Sequence, residues 1–511
     1  MYTKANAPAV AHHGRTVIGF NWIGGKEVEG DLPSFDARSA VDSRDTVGIF
    51  PECGERDVER AARAATAALG PWSGLPAPAR GEVIGRIGGA LAAHQGKVAA
   101  VITRELGWPA KAAQGEVREA LEACARFREA ARRPPEGDRR RRLRPLGVCA
   151  LLSGAGSPLA APAWKLMAAL ACGDTVVWKP SASAPTTAYL LVRCLMDAGL
   201  APGVVNVVNG RGRGACGKAL LAGIGKGLFQ KVAFCGAPSV GRAVAEQAGR
   251  ALVPCALELG GRNPMIVMAD ADLDRAVAAA LEGAFGAPGQ RRALGNLILD
   301  REVAWAFREA FLAGAAELAV GNPVSDPEVA SGPVANARCA KVFQEHWELG
   351  REDGARLLCG GAAWTEDNRS AQVRGAIAKG SYLQPCVWDE VTPDMRLFRL
   401  ELAGPSVNLI TVDGFDQALA WAQAAPHPAA AFLFGADRDR AGRFLRECRT
   451  GSCLVNDGGA AWSGNGEAER NDGWETGWTR WQRVVGAGEE GEPAAPAGPR
   501  ASYEPSRWDT L

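Results

Sequence analysis

The sequence predicts an α/β protein with two parallel-sheet domains, and two observations carry that prediction. Beyond residue 146, short apolar runs alternate with helix-like stretches, which is typical of parallel sheets covered by helices on both faces. The runs of the first set are residues 148–152, 175–178, 204–208 and 232–234, and those of the second are residues 296–299 and 406–412. A length of 511 residues exceeds one ordinary hydrophobic core, so at least two domains are expected.

Composition and charge exclude several classes of protein. With 58 basic and 57 acidic residues the net charge is +1, so neither nucleic acid nor an anionic membrane is expected as a partner. The 13 cysteines have no CxxC spacing, which favours the cytoplasm over an oxidising compartment and argues against a metal site. Residues 1–20 lack the apolar core of a signal peptide, and prolines interrupt the uncharged stretch 145–164, so no membrane anchor is expected.

The first part of the chain predicts covering helices. Residues 21–131 indicate a short strand pair followed by helices, with helical spacing of apolar residues over 58–69 and 79–103. Residues 132–144 then break the pattern with two prolines and four consecutive arginines, at 139–142. At the other end, the composition falls to Gly, Glu, Pro and Ala from Gly486, which predicts a flexible tail.

Two motifs indicate the chemistry of the chain. Residues 257–264 read LELGGRNP, and residues 289–293 read GQRRA. Both resemble motifs of the aldehyde dehydrogenase family, in which the first carries a glutamate general base and the second, Gly-Gln-x-Cys, carries the nucleophile 34 residues later. The resemblance implies that Glu258 is the base, but the nucleophile position holds Arg292. A guanidinium is always protonated and cannot form the thioester of that family.

The oxyanion donor of the family is also replaced. Its Pro-Trp/Phe-Asn-Phe-Pro segment reads GAGSP at residues 154–158, which puts Gly156 at the asparagine position. Loss of one such donor typically costs about 100- to 1,000-fold in rate. Two groups on which the family's mechanism depends, the thiol nucleophile and the asparagine amide, are therefore replaced independently in this chain.

The resemblance also implies a dinucleotide site, NAD or NADP, with eroded contacts. Lys179, in the segment GDTVVWKP, corresponds to the lysine that holds the adenosine ribose, and Ala182 replaces a glutamate that would exclude NADP. Glu401 corresponds to the glutamate on the nicotinamide ribose, whereas Ala403 replaces the phenylalanine against the nicotinamide. We therefore expect binding of the nucleotide to be weakened or lost.

For the pyrophosphate, the resemblance points to the turn from Gly236 to Gly241, at the start of a helix. The usual serine after the first glycine is Ala237 here. Residues 212–217 also match GxGxxG, but no acidic residue follows at the ribose-binding distance, so that match is weak.

The resemblance covers about residues 20–486 and implies an aldehyde dehydrogenase-like plan of two αβα domains with a small oligomerisation ribbon. The expected parts are an N-terminal arm (1–19), a nucleotide-binding domain (20–131 and 149–257), a catalytic-type domain (258–453), the ribbon (132–148 and 474–486) and a flexible tail (487–511). The arginine run could form a basic binding patch, but its place in the ribbon favours a solvent-facing segment that joins subunits. We expect a homodimer, a homotetramer or a hetero-oligomer with an active paralogue.

These losses, at Arg292, Gly156, Ala237 and Ala403, favour a pseudoenzyme that serves as a structural or regulatory subunit. The alternative is an active NAD(P)-dependent aldehyde oxidoreductase with a non-standard nucleophile, such as Cys453, or one that draws hydride from a hydrated aldehyde. We also predict that Arg292 and Glu258 approach within salt-bridge distance, directly or through a water, because an unpaired charge in that pocket would cost several kcal/mol.

Overall fold

The computed structural model of the chain describes residues 16–132, 141–212, 214–287, 289–291, 293–377, 379–401, 404–457 and 477–483. Its strands form two seven-stranded sheets, one three-stranded sheet and two two-stranded sheets. The two large sheets, with helices between their strands, confirm the α/β fold.

The N-terminal part supplies strands and then helices. Its elements are β1 (Val17–Ile18), β2 (Asn21–Ile23), β3 (Lys26–Val28), β4 (Leu32–Arg38), β5 (Thr46–Glu52), α1 (Glu55–Ser73), α2 (Ala77–Ala93), α3 (Gln95–Leu106) and α4 (Ala110–Arg132). Gly24 and Gly25, with φ of +62° and +79°, turn the chain between β2 and β3, as two-residue hairpins require. The stretch 79–103, where helical spacing was expected, belongs to two helices, because the chain turns at His94, whose amide donates to the Leu91 carbonyl at 3.1 Å.

The first large sheet has the order β11-β10-β7-β8-β9-β2-β3. The elements that complete it are β7 (Val148–Ser153), α5 (Ala160–Cys172), β8 (Thr175–Lys179), α6 (Pro185–Asp197), β9 (Val205–Val207), α7 (Ala215–Gly225), β10 (Lys231–Gly236), α8 (Pro238–Arg250) and β11 (Cys255–Leu259). Strands β7 to β11 are parallel, whereas β2 and β3 extend the sheet antiparallel. The sheet therefore continues past residue 258, where we expected the second domain to begin.

The second large sheet has the order β15-β17-β18-β13-β12-β19-β20. Its elements are β12 (Asn263–Val267), α9 (Leu273–Phe285), β13 (Leu294–Asp300), α10 (Arg301–Glu317), α11 (Ala337–Glu352), β15 (Arg356–Cys359), β17 (Cys386–Asp389), α12 (Arg396–Arg399), β18 (Ser406–Val412), α13 (Gly414–Ala424), β19 (Ala430–Phe434), α14 (Arg438–Glu447) and β20 (Ser452–Val455). Only the pairing of β15 with β17 is antiparallel among these described strands. Two short strands, β14 (Val320–Gly321) and β16 (Val373–Arg374), pair beside it.

A separate two-stranded ribbon joins distant parts of the sequence. Strand β6 (Arg141–Pro145) pairs antiparallel with β21 (Thr479–Arg483). Next to β21, the Trp478 ring is buried and the Lys231 ammonium lies 4.1 Å from its centroid. The two strands expected to pair across subunits thus pair with each other in the single chain.

Helix α5 is buried on nearly every side and brings a charge into the core. Its Trp164 packs edge-on against Phe127 of α4, with ring centroids 5.6 Å apart. The next residue, Lys165, is only 1% exposed. A buried ammonium needs an ionic or hydrogen-bonding partner, and that partner marks the candidate site. In the part of the chain that the structure describes, we find no helix long and apolar enough to cross a membrane.

Candidate active site

A cavity of 870 Å³ opens where the carboxyl ends of β7, β10 and β11 face the second sheet. Crevices at this edge of parallel sheets are the usual ligand sites of α/β folds. Its walls include the predicted site residues Gly156, Gly236 and Glu401, together with Arg291 and Cys235. The structure thus brings three of the seven predicted site residues together in the wall of one cavity.

Glu258 lies at this site and is held by a cation that sequence reasoning overlooked. The Lys165 ammonium donates to Glu258 Oε1 at 2.6 Å, and the two side chains are 0% and 8% exposed. The signal was present in the sequence, since a lysine in the middle of an apolar helix demands a buried partner.

A second cation approaches the other oxygen of Glu258, but from residue 291. Arg291 Nη1 lies 3.6 Å from Glu258 Oε2, and both side chains are 8% exposed. Arg292 lies outside the described residues, so the predicted Arg292–Glu258 contact stays a prediction. The arginine that meets Glu258 in the structure is its neighbour.

The loop that carries Arg291 is fixed by backbone and amide contacts. The Arg291 amide donates to the Gly156 carbonyl at 3.0 Å. The Asn263 side chain donates to the carbonyls of Arg291 and Ala293, at 3.2 and 3.0 Å. Asn263 belongs to the LELGGRNP segment, and its role as a support for this loop was not apparent from the sequence.

Gly156 permits this close approach. A Cβ atom at Gly156 would lie 3.0 Å from the Gly289 carbonyl oxygen and 3.5 Å from the Arg291 amide nitrogen. The first distance is tighter than ordinary van der Waals contact, so any side chain there would push the loop outward. The glycine thus removes an amide donor and admits the Arg291 loop.

Glu401 forms the opposite wall. Its carboxylate covers Gly260, where any side chain would collide with it. Burial raises the pKa of Glu401 to about 7, although the charges of Arg262 and Arg291 oppose the rise. The Arg262 guanidinium donates to the Leu400 carbonyl at 2.8 Å and so holds the adjoining backbone. Ala403 lies outside the described residues.

The turn predicted to meet a pyrophosphate is present beside the cavity. Gly236 ends β10 and Gly241 lies in the first turn of α8, whose N-terminus begins at Pro238. A side chain on Gly241 would meet that of Leu259. The positive end of the helix dipole therefore faces the cavity, which suits an anionic ligand.

Lys179 ends β8 as expected, but its ammonium does not border the cavity. It is 4% exposed and donates to the Pro180 carbonyl at 2.9 Å. Burial lowers the pKa of Lys179. Ala182 packs against the apolar cluster that includes Phe35 and Phe50.

The GxGxxG match at residues 212–217 lies outside this cavity. Helix α7 begins at Ala215, and Arg211 ahead of it pairs with Glu52 at 2.6 Å. Arg213 lies outside the described residues. The structure supplies no reason to place a pyrophosphate there.

Two cysteines differ in their relation to the site. Cys235 faces Glu258 across β10 and β11 and lines the cavity, a placement that sequence reasoning missed. Burial, with the Glu258 charge, raises the pKa of Cys235 to about 12. Cys453, which we considered as a substitute nucleophile, is absent from the cavity walls, because β20 lies at the far side of the second sheet from β13. The structure therefore does not support that role.

A second cavity of 350 Å³ lies on the other side of the same loop. Gln290 lines this cavity, whereas Arg291 lines the larger one. Lys111 and Glu282, which form an exposed ion pair at 2.7 Å, stand at its wall. Residues 289–291 thus divide two spaces, as a catalytic loop between two ligands would.

No group of three or more His, Cys, Asp or Glu residues suited to a metal ion occurs within the described ranges.

The sequence pattern of the Aldehyde dehydrogenase family matches residues 28–468. Alpha-ketoglutarate semialdehyde dehydrogenase from Haloferax volcanii is 32% identical over 86% of this chain and 90% of its own length. Alpha-ketoglutaric semialdehyde dehydrogenase from Bacillus subtilis is 30% identical over 86% and 88%, respectively.

Solved structures of aldehyde dehydrogenases have the same fold as this chain. An NAD-dependent aldehyde dehydrogenase from Sinorhizobium meliloti superposes with a TM-score of 0.78 at 28% identity, over 87% of this chain and 88% of that one. The indole-3-acetaldehyde dehydrogenase of P. syringae, solved as a mutant in complex with NAD+ and IAA, gives 0.81 at 26% identity, over 92% and 97%. With the family's sequence pattern, its fold and the glutamate of its site all present, the chain belongs to the aldehyde dehydrogenase family.

Proposed function

We propose that this protein is an NAD(P)-dependent aldehyde oxidoreductase that works without a thiol at residue 292. The observation that carries the proposal is the retained Glu258, held between Lys165 and Arg291 beside an open cavity of 870 Å³. Relatives at 30–32% identity are named as dehydrogenases of a semialdehyde, which supports the same class of reaction.

The walls of the cavity suit a dinucleotide in part. The N-terminus of α8, between Gly236 and Gly241, would hold the pyrophosphate, and Glu401 would accept from a ribose hydroxyl. Lys179 would have to turn from the Pro180 carbonyl to reach the other ribose. A bound nicotinamide would supply the hydride acceptor.

The substrate that fits this site is the hydrate of an aldehyde. Arg292 cannot form a covalent adduct, whereas a hydrate already has the tetrahedral carbon from which hydride can leave. Glu258 would take the proton of one hydroxyl group, and the Arg291 guanidinium would stabilise the charge that develops on that oxygen. The hydrate gives up one hydride and one proton and becomes the carboxylic acid, so its atoms balance.

Arg291 would then replace the missing asparagine in function. The backbone amide of Arg291 donates to the Gly156 carbonyl at 3.0 Å, so residue 291 lies next to the position of the missing asparagine. A guanidinium is a stronger, charge-assisted donor than a neutral amide.

The second candidate is a catalytically silent subunit that binds a nucleotide. The observation that favours it is the pairing of Glu258 with two cations, because these contacts use oxygen lone pairs that a general base needs. The lack of a thiol at residue 292 points the same way.

Turnover of a panel of aldehydes with NAD and NADP tests both candidates. Nucleotide reduction and carboxylate formation that survive Cys235→Ser and Cys453→Ala, but not Glu258→Gln, would support the hydrate route. Activity lost with Cys235→Ser would instead assign a thiol mechanism. Nucleotide binding by calorimetry without any turnover would favour the silent subunit.

We extend the proposal to cofactor choice, assembly and compartment. Both NAD and NADP should be accepted, since Ala182 offers no carboxylate against a 2′-phosphate. The β6–β21 ribbon leaves edges through which a homodimer or homotetramer, or a hetero-oligomer with an active paralogue, would assemble. All 13 cysteines lie in the described ranges and none forms a disulfide, which fits a reducing cytoplasm.

A further inference from the structure

Two cysteines meet where helix α14 ends and strand β20 begins. Cys448 caps the C-terminus of α14, and its amide donates to the Phe444 carbonyl at 2.9 Å. Cys453 lies in β20 and pairs with Ala431 of β19. The Thr450 hydroxyl lies 2.7 Å from Cys448 Sγ and 3.8 Å from Cys453 Sγ. Only four residues separate the two cysteines in the chain, and the Thr450 hydroxyl lies between their thiols.

The two thiols have opposite ionisation. The neighbouring Cys453 thiol, aided by Thr450 and opposed by burial, lowers the pKa of Cys448 to about 6. The same neighbour raises the pKa of Cys453. Cys448 is therefore the thiol that loses its proton more easily, as the attacking member of an attacking and resolving pair does.

Solvent access distinguishes Cys448 and Cys453 from a second pair of neighbouring cysteines in the chain. Cys53 and Cys216 also neighbour each other, but both are 0% exposed and the pKa of Cys53 is raised by burial. Cys448 and Cys453 are each partly exposed. Cys53 and Cys216 therefore serve as a control pair, because an oxidant dissolved in water should not reach their thiols.

We propose that Cys448 and Cys453 form a reversible disulfide when the protein meets a hydroperoxide. With hydrogen peroxide, the Cys448 thiolate attacks one oxygen, breaks the O–O bond and becomes a sulfenic acid, while the other oxygen takes up a proton and leaves as water. The Cys453 sulfur then attacks Cys448 Sγ, and the sulfenic oxygen leaves as a second water. The peroxide is reduced by two electrons and the two thiols are oxidised by two.

The disulfide would tie the end of α14 to β20. Its ring would be small, so the loss of chain entropy that usually stabilises a disulfide is modest, and a cellular thiol should reduce it readily. These properties are typical of a reversible regulatory disulfide and not of a permanent structural disulfide. The inference does not depend on any aldehyde turnover.

Peptide mapping of the full-length protein tests the proposal. The protein is treated with hydrogen peroxide, alkylated and cleaved by trypsin, which cuts after Arg449 between the two cysteines. We expect a linked pair of peptides containing Cys448 and Cys453, with the loss of two hydrogen atoms, that disappears after treatment with dithiothreitol. Cys53 and Cys216 should remain unlinked.

Single variants complete the test. Cys453→Ser should abolish the linked peptides and trap Cys448 as a sulfenic acid, detectable with a dimedone probe. Cys453→Ala, which removes the thiol next to Cys448, should move the pH midpoint of Cys448 alkylation upward, whereas Cys216→Ala should leave it in place. Both cysteines fully alkylated after peroxide treatment of the wild-type protein, or Cys448 linked to a different cysteine, would overturn the proposal.

Discussion

The Lys165 ammonium lies 2.6 Å from Oε1 of Glu258, and the pair is almost fully enclosed by the core of α5 and the wall of the cavity. Breaking a buried pair by removing one partner leaves an uncompensated charge and typically costs about 3–5 kcal/mol. We expect Lys165→Met to lower the free energy of unfolding by about that amount, measured by urea denaturation. Lys111→Met, which breaks an exposed pair with Glu282, is the matched control and should change it little. Equal effects of both substitutions would contradict the assignment of a structural role to the buried pair.

Arg291 offers a test of the hydrate route. If its guanidinium stabilises the developing oxyanion, Arg291→Met should lower kcat by about 100-fold, whereas Arg291→Lys should retain part of the rate. Arg301→Met, which removes an exposed arginine paired with Asp413, serves as a control for the general loss of an arginine. Steady-state kinetics with unchanged turnover in Arg291→Met would remove this residue from the mechanism.

Glu401 should make stability depend on pH near neutrality. Burial raises its pKa from 4.5 to about 7, so the folded protein keeps a proton that the unfolded chain releases between those values. The contribution of Glu401 to the free energy of unfolding is therefore fully present below pH 4.5. It is lost as the pH rises through 7, and the total loss is roughly 3 kcal/mol.

The measurement is the free energy of unfolding between pH 5 and 8. Glu401→Gln should flatten the decline, and the exposed Glu390→Gln should not. Asp174, whose pKa burial also raises to about 7, contributes a decline of the same sign, so some slope should persist in Glu401→Gln and become smaller with Asp174→Asn added. A slope identical in the Glu401→Gln and wild-type proteins would show that this carboxyl group does not titrate there.

Restoring the family's catalytic groups tests the two lesions together. We expect Arg292→Cys with Gly156→Asn to turn over aldehydes faster than Arg292→Cys alone, by up to about 100-fold, since the amide supplies an oxyanion donor. The gain is limited because a Cβ at Gly156 lies 3.0 Å from the Gly289 carbonyl oxygen, so the loop must yield. Full activity from Arg292→Cys by itself would mean that the lost asparagine matters little.

The central strands were predictable because their apolar runs are buried on both faces. The runs at 148–152, 175–178 and 232–234 fall in β7, β8 and β10, and the run at 406–412 coincides with β18. The strand pair expected from residue 21 corresponds to β2 and β3. The antiparallel attachment of this pair and of β15 at the sheet edges was not predictable, because edge strands are short and their pairing depends on tertiary contacts. The turn at His94 was missed for a similar reason, since helical spacing of apolar residues continues across it.

At the site, the motifs singled out Glu258, but not the cations that surround it in the structure. Which of two adjacent arginines meets Glu258 depends on the path of the loop, and that path is set by Asn263 and Gly156 from other parts of the chain. The position of Cys235 beside Glu258 depends on the register of β10 and β11, which a single sequence does not encode locally. Spacing thus identifies the residues of a site, while tertiary packing decides which of their atoms meet.

The pairing of β6 with β21 has a consequence for synthesis of the chain. Strand β6 leaves the ribosome early, whereas its partner emerges only after the whole second sheet, since Arg144 pairs with Arg480. Domains generally fold as they are made, N-terminal first. For most of translation, therefore, β6 is an unpaired strand edge, which invites association with another chain. A ribosome that stalls within the second domain would release a nascent protein with a folded first sheet and an open edge, a natural target for chaperones.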